Sequence, residues 1–177
     1  MRNEQLANHK TRSMSFRIPE EMADSLETEA SMKRISPSNL LVQILSFHND
    51  YLENASRAGL VAFPRPLLVR LIEKLPEKQV VALAEYISRD TITDIMAVLQ
   101  PDYNVETFLR VIESWARASM MPFRRETRGN LNTIILQHDL SMNWSLYLGN
   151  LYKCVIEDLV EKSIKVETTP NTTLIRF

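Results

Sequence analysis

The segment of residues 12–18 alternates strictly between polar and apolar side chains. Its apolar set is Met14, Phe16 and Ile18, and its polar set includes Ser13, Ser15 and Arg17. This period of two predicts a half-buried β-strand. The next predicted elements along the chain are helical, so both edges of the strand lack a partner, and unpaired edges promote aggregation. The strand therefore requires a second strand to pair with.

Two predicted helices follow this strand. Pro19 ends the strand and suits the first turn of a helix over residues 20–33, where apolar side chains recur at helical spacing. Ser36 and Pro37 have the character of an N-cap and a first helical residue, and they begin a strongly apolar helix that reaches about Asn54. One strand and two helices cannot close a core alone. The simplest remedy is a second copy of the chain, because the two strands can pair antiparallel and four helices can pack against the apolar face of this ribbon.

The outer face of such a ribbon would present Ser13, Ser15 and Arg17 from each copy. A two-stranded ribbon has the width that enters the major groove of DNA, where arginine can bond guanine bidentately and serine can bond either type of base edge. These three residues are therefore candidate base contacts. The alternative is a polar face that is only solvated.

The order and spacing of these elements resemble the ribbon-helix-helix DNA-binding repressors of the MetJ and Arc type. The resemblance covers residues 13 to about 52. It is carried by the alternating strand, by Pro19-Glu20-Glu21, by the apolar spacing of Met22, Leu26 and Ala30, and by Ile35-Ser36-Pro37-Ser38 before the second helix. In that family, alternate residues of the strand contact bases, which implies this role for Ser13, Ser15 and Arg17.

The resemblance also implies contacts to the DNA backbone at the start of the second helix. In the family, the amides at this position hold a DNA phosphate, which points here to Ser36, Ser38 and Asn39. Pro37 has no N–H, so Ser38 and Asn39 are the expected donors. One departure concerns the turn between the helices, where the family usually has a glycine suited to a positive φ and this chain has Arg34. A tighter or slightly strained turn is therefore expected.

The residues before the strand form a predicted flexible arm over residues 1–11. Lys10 and Arg12 make this end of the chain basic, and both are candidate phosphate contacts. An untethered polar tail is the alternative. The net charge of −1 conceals this basic edge, because acidic residues of the first helix and a near-neutral remainder balance it.

Composition makes an enzyme the weaker interpretation. The chain has three isolated glycines, too few for a Walker loop or a dinucleotide-binding fingerprint, which need clustered glycines near phosphates. A single cysteine, Cys154, rules out an intramolecular disulfide and any multi-cysteine metal site, and the three histidines offer little for a metal centre. We therefore predict no catalytic residues, no metal and no cofactor.

The remainder of the chain predicts a second domain over residues 59–177, after a DNA-binding domain over residues 1–58. The expected fold class is mostly α with β (α+β). The predicted helices cover residues 67–74, 77–99 and 105–118, with an interruption of the second near Thr91. A β-α-β-β mixed sheet is expected at the end, with strands at 131–138, 164–168 and 172–177 and a helix over 142–161.

Several side chains of this second part invite functional interpretation. His138 follows a strand and is interpreted as capping the next turn or helix start rather than as a metal ligand, and Cys154 as apolar filling. Trp115 is interpreted as core packing, whereas a sensor pocket and a dimer contact both remain open for Trp144. The arginines at 124, 125 and 128 favour a solvated loop over an additional phosphate contact.

These features predict a cytoplasmic, sequence-specific transcriptional regulator that binds double-stranded DNA as a homodimer or higher homo-oligomer. The polar start of the chain, its short apolar runs and its lone cysteine are the basis for the cytoplasmic assignment, with no membrane partner. The second domain would oligomerise or sense a small-molecule or protein effector. The alternative is an antitoxin-like or other DNA-binding interaction module whose second domain binds a protein partner.

Overall fold

A computed structural model describes residues 12–99, 102–129 and 131–177. The chain divides into two compact units, Met1–Leu45 and Ser46–Phe177, which we call the N-terminal and the C-terminal unit. The predicted arm over residues 1–11, including Lys10, lies outside the described residues.

The N-terminal unit contains helix α1, Glu20–Lys33, and most of helix α2, Pro37–Phe47. Both helices begin where the sequence predicts. Glu20 and Glu21 occupy the first turn of α1, where the helix dipole favours negative charge. Ser36 caps α2, because its Oγ accepts the N–H of Asn39 at 3.1 Å.

The turn between α1 and α2 is built around Arg34. This residue adopts the left-handed conformation, with φ 56° and ψ 42°. The N–H of Arg34 donates to the carbonyl of Ser31, and the N–H of Ile35 donates to that of Ala30, both at 3.0 Å. These bonds satisfy carbonyls at the end of the helix, as in other left-handed helix ends. The left-handed conformation is sterically unfavourable for an L-residue other than glycine. The backbone strain that the sequence predicts for this turn therefore lies at Arg34.

The C-terminal unit begins inside the apolar helix that follows the turn. A π-helical segment, His48–Leu52, continues from α2 and leads into α3, Glu53–Arg57. The remaining helices are α4 Arg65–Ile72, α5 Glu77–Arg89, α6 Thr91–Leu99, α7 Val105–Ala118 and α8 Met142–Val160. The π-helical segment contacts α7, and α3 contacts α6, which explains why the boundary between the units falls before residue 46 rather than after residue 58. The interruption expected near Thr91 is confirmed, since α5 ends at Arg89 and α6 begins at Thr91.

Four strands form the sheet of the C-terminal unit. They are β1 Phe123–Arg128, β2 Leu131–Gln137, β3 Lys165–Thr169 and β4 Thr172–Arg176, in the order β1-β2-β4-β3. Every neighbouring pair is antiparallel, so the expected mixed sheet is wrong in that respect. The helix α8 connects β2 to β3, but β4 lies between these strands, which removes the parallel pairing. The α+β class is confirmed.

The core of the C-terminal unit lies between this sheet and the helices. Apolar residues of β2 and β4 contribute Ile134, Leu136 and Ile175, and they pack with buried side chains of α7 and α8. Gly149 lets α8 approach the sheet closely, because a Cβ at this position would lie 3.0 Å from Val166 Cγ1 and 3.1 Å from Thr168 Cγ2. The caps of α7 and α8, Asn104 and Ser141, fix where these helices begin.

Candidate functional site

The predicted strand over residues 12–18 is extended chain without strand pairing in the described residues. All of these residues are exposed, including the candidate base contacts Ser13, Ser15 and Arg17 and the phosphate contact Arg12. A strand is defined by hydrogen bonds to a neighbour, and the described part of a single chain gives this segment none. The expected ribbon is therefore not present in one chain, and the ribbon-helix-helix unit stays a prediction.

The apolar side chains of this segment are exposed in the single chain. Met14 is 77% exposed and Phe16 58%, although both were expected on a buried face. The two helices add further exposed apolar side chains, namely Met22, Met32, Val42, Ile44 and Leu45. Only Ala30 and Leu40 among the apolar residues of the described N-terminal unit are buried. Exposed apolar side chains in this number on one small unit are typical of a surface that contacts a partner.

The start of α2 gathers the predicted phosphate contacts. Ser36, Ser38 and Asn39 are all exposed there. The N–H of Asn39 already donates to Ser36 Oγ, which removes one of the two expected donors. No acceptor within the described residues bonds the N–H of Ser38, so this amide remains for a phosphate at the positive end of the helix dipole.

His138 and Ser145 form a buried pair in the C-terminal unit that the sequence did not reveal. The N–H of Leu140 donates to His138 Nδ1 at 3.2 Å, so the ring proton lies on Nε2 and points to Ser145 Oγ at 2.9 Å. The Ser145 hydroxyl donates in turn to the carbonyl of Thr169. A serine nucleophile must instead donate its proton to the histidine. The pair therefore links the residue after β2 to α8 and to the end of β3. The bond from the N–H of Leu140 to His138 Nδ1 confirms that His138 caps the following turn.

Lowering the pH from about 7.5 to about 5 is expected to destabilise the C-terminal unit through His138. Burial lowers the pKa of the His138 imidazole, and the neighbouring charge of Asp139 opposes this effect only partly. The unfolded chain, with a histidine pKa of about 6.5, takes up the proton first. The free energy of unfolding therefore falls as the pH drops below about 6.5, by at most about 1.4 kcal/mol per pH unit, and levels off below the folded pKa.

Urea denaturation at several pH values, followed by tryptophan emission, measures this slope. His138→Gln should remove the histidine part of the slope, whereas His48→Gln, at an exposed position, should retain it. An identical slope in the wild-type chain and in His138→Gln would contradict the assignment.

The arginine-rich run belongs to a strand rather than to the loop that the sequence favoured. Arg125 makes two bonds to Glu106 of α7, at 2.9 and 2.7 Å, and this guanidinium lowers the pKa of Glu106. Arg124 and Arg128 both face Glu126, at 3.9 and 3.4 Å. The sequence does not indicate a strand here because four of the six residues of β1 are charged. Charged side chains on an edge strand prevent further strands from pairing with it. With a carboxylate beside each arginine, a phosphate contact here loses support.

The other residues singled out in the second part have mixed positions. Cys154 is partly buried on α8 rather than enclosed. Trp115 packs against the core, as expected, and with Trp144 it also lines a cavity.

Within the described residues, no three His, Cys, Asp or Glu side chains lie close enough to share a metal ion. No helix in the described ranges has both the length and the apolar content of a membrane span.

Comparison of the chain with protein-family models, with curated proteins and with solved structures found no match.

Proposed function

We propose that this protein is a sequence-specific transcriptional regulator that binds double-stranded DNA as a homodimer through its N-terminal unit. The observation that carries the proposal is the exposure of Met14, Phe16 and Ile18 in a single chain, next to Ser13, Ser15 and Arg17 in strict alternation. The apolar side chains require an apolar partner to cover them, and the polar side chains would then face outward.

A second copy of the chain is the partner that suits the apolar set. Two identical strands can form hydrogen bonds along their unpaired edges. No other element of the described N-terminal unit is a strand that could pair with this segment. Full burial of one large apolar side chain contributes about 1.5–3 kcal/mol. Because symmetry counts every such side chain twice, covering Met14, Phe16, Ile18 and Met22 contributes a free energy of the same order as the cost of association.

The polar set then lies on the outside of a ribbon formed by two copies. Arg17 supplies a guanidinium that can bond guanine bidentately, and Ser13 and Ser15 supply hydroxyls that can donate or accept. The N–H of Ser38 and the charge of Arg12 would hold phosphates on either side of the groove. The two copies would supply each contact twice, so the preferred site should itself be an inverted repeat.

A DNA-binding module with a protein partner is the second candidate function. It is favoured by a set of exposed apolar side chains around α4 in the C-terminal unit, which are Val61, Phe63, Leu67 and Leu71. Such a set suits a protein contact. DNA binding by the purified chain, measured with and without added cell extract, tests this candidate, because a protein partner would change the affinity whereas a self-sufficient regulator would be unaffected.

The salt dependence of binding tests the proposal. In the proposed complex, Lys10 and Arg12 from two copies would bring four cations to phosphates, and each would contribute a slope of about 0.9 to log Kd against log salt concentration. The affinity for duplex DNA is therefore expected to fall about a hundredfold between about 50 and 200 mM salt. Fluorescence anisotropy with a labelled duplex measures this loss. An affinity that stays flat across this range would contradict a DNA-binding function.

A further inference from the structure

A cavity of about 730 Å³ lies within the C-terminal unit. Its walls come from the π-helical segment, the extended chain before α4, the end of α7 and the start of α8. Five aromatic side chains line it, and they are Phe47, Tyr51, Phe63, Trp115 and Trp144. This volume and this mostly apolar lining are typical of sites for small organic molecules.

The aromatic lining has the geometry of a preformed pocket wall. The rings of Phe47 and Tyr51 are stacked, with centroids 5.5 Å apart, and Trp144 meets Tyr147 edge to face at 5.2 Å. These contacts restrict the rings of Phe47, Tyr51 and Trp144, so a flat guest meets side chains that are already partly ordered. A π-helical segment in one wall is a further feature that often accompanies functional sites.

Among the side chains that the structure describes, Arg65 is the one charged residue that lines this cavity. One of its guanidinium nitrogens, Nη2, donates to the carbonyl of Ser119 at 3.1 Å, which fixes the side chain beside the aromatic wall. None of the ion pairs in the described residues involves Arg65. A guanidinium has five donors, so most of them remain for an anion.

The indole N–H of Trp144, another residue of the cavity lining, is buried and has no hydrogen-bond partner in the part of the chain that the structure describes. Buried polar groups are nearly always bonded, so an isolated donor of this kind needs an explanation. An acceptor atom on a bound molecule, reached by a small rotation of the indole, would provide one.

We propose that this cavity binds an aromatic acid, a planar ring system that carries a carboxylate or sulfonate. The rings would stack among the five aromatic side chains, and the anionic group would accept hydrogen bonds from Arg65, as guanidinium groups favour. The inference concerns the C-terminal unit alone, so its success or failure is independent of DNA binding.

A matched pair of dyes tests this proposal. Anilinonaphthalene sulfonate is an aromatic anion, and phenylnaphthylamine is its neutral parent without the sulfonate. Energy transfer from tryptophan reports a dye bound near the cavity, because both tryptophans of the chain line it. We expect one anionic dye per chain, and a neutral dye that binds about tenfold more weakly, as loss of a charged hydrogen bond implies.

Two variants on helix α4 separate the cavity from the general surface. Arg65→Gln should abolish the tenfold preference for the anionic dye, whereas Arg70→Gln, an exposed arginine on the same helix, should leave it intact. Ala118→Phe, in the cavity wall, should block both dyes while circular dichroism confirms the fold. Arg65 is itself exposed, so Arg65→Gln decides the question if Ala118→Phe does not fold.

Three results would overturn the proposal. The first is equal affinity for the two dyes in the wild-type chain, and the second is an unchanged preference in Arg65→Gln. The third is undiminished binding of both dyes by a folded Ala118→Phe chain, because the dyes would then lie outside the cavity.

Discussion

Replacing Arg17 by alanine is expected to abolish discrimination between the preferred DNA site and a scrambled duplex. A bidentate contact from arginine to a base contributes about 1–3 kcal/mol of discrimination, and a symmetric dimer makes it twice. The loss of specificity should therefore be roughly thirtyfold or more. The residual affinity comes from phosphate contacts, which do not depend on sequence, so binding to scrambled DNA should change little.

Fluorescence anisotropy with both duplexes measures this loss, and sedimentation shows whether the dimer persists. Arg70→Ala is the matched control, because it removes the same charge from an exposed position in the C-terminal unit. Its discrimination should equal that of the wild-type chain. If Arg17→Ala binds its preferred site with full selectivity, the assignment of the polar strand face to base contacts is wrong.

Replacing the adjacent residue, Phe16, by glutamate should have a different consequence. This variant is expected to dissociate the dimer and to lose affinity for every DNA sequence. Phe16 is 58% exposed in the single chain, and the second copy would bury it. Loss of the apolar contact that dimerisation adds costs about 1–2 kcal/mol in each copy, so the dimer dissociation constant should rise on the order of a hundredfold. The desolvation of a carboxylate in this interface adds to the effect.

Ser15→Glu is the control for the added charge. It places the same carboxylate one residue away, on the other face of the predicted strand. We expect it to remain a dimer and to lose DNA binding through repulsion from phosphates. Sedimentation equilibrium over a range of concentrations distinguishes the two variants. A Phe16→Glu chain that is as dimeric as the wild type would show that the apolar face has another purpose.

The helices could be predicted from the sequence because their boundaries have strong local signals. Proline residues precede α1 and α5, Ser36 caps α2, and Asn104 caps α7. Each signal acts within one or two turns and needs no distant partner. The predicted starts of these helices therefore agree with the structure, whereas α2 and α5 end before the predicted residues 54 and 99.

Features that depend on distant residues could not be predicted in the same way. Strand β1 is highly charged, and it is a strand only because β2 lies beside it. The bond between His138 and Ser145 crosses from a strand to a helix, and no spacing in the sequence indicates it. The cavity likewise collects side chains from segments as far apart as Phe47 and Trp144.

The N-terminal ribbon also depends on a distant partner, because its second strand would come from another copy of the chain. Its strand has no partner in the described part of its own chain, so a structure of one chain contains only half of the expected element. The alternation of residues 12–18 predicts the pairing, and the exposed apolar side chains agree with a missing partner. The proof requires a measurement on the assembled protein.

Selection of bound sequences from genomic DNA by the full-length chain is the most direct measurement. A dimer that inserts two symmetry-related strands into the major groove should enrich one short inverted repeat, with a fixed spacing between its halves. We expect that repeat in the selected fragments, and we expect Arg17→Ala to enrich nothing above background. Fragments from the wild-type chain that share no recurring sequence would contradict sequence-specific DNA binding by this protein.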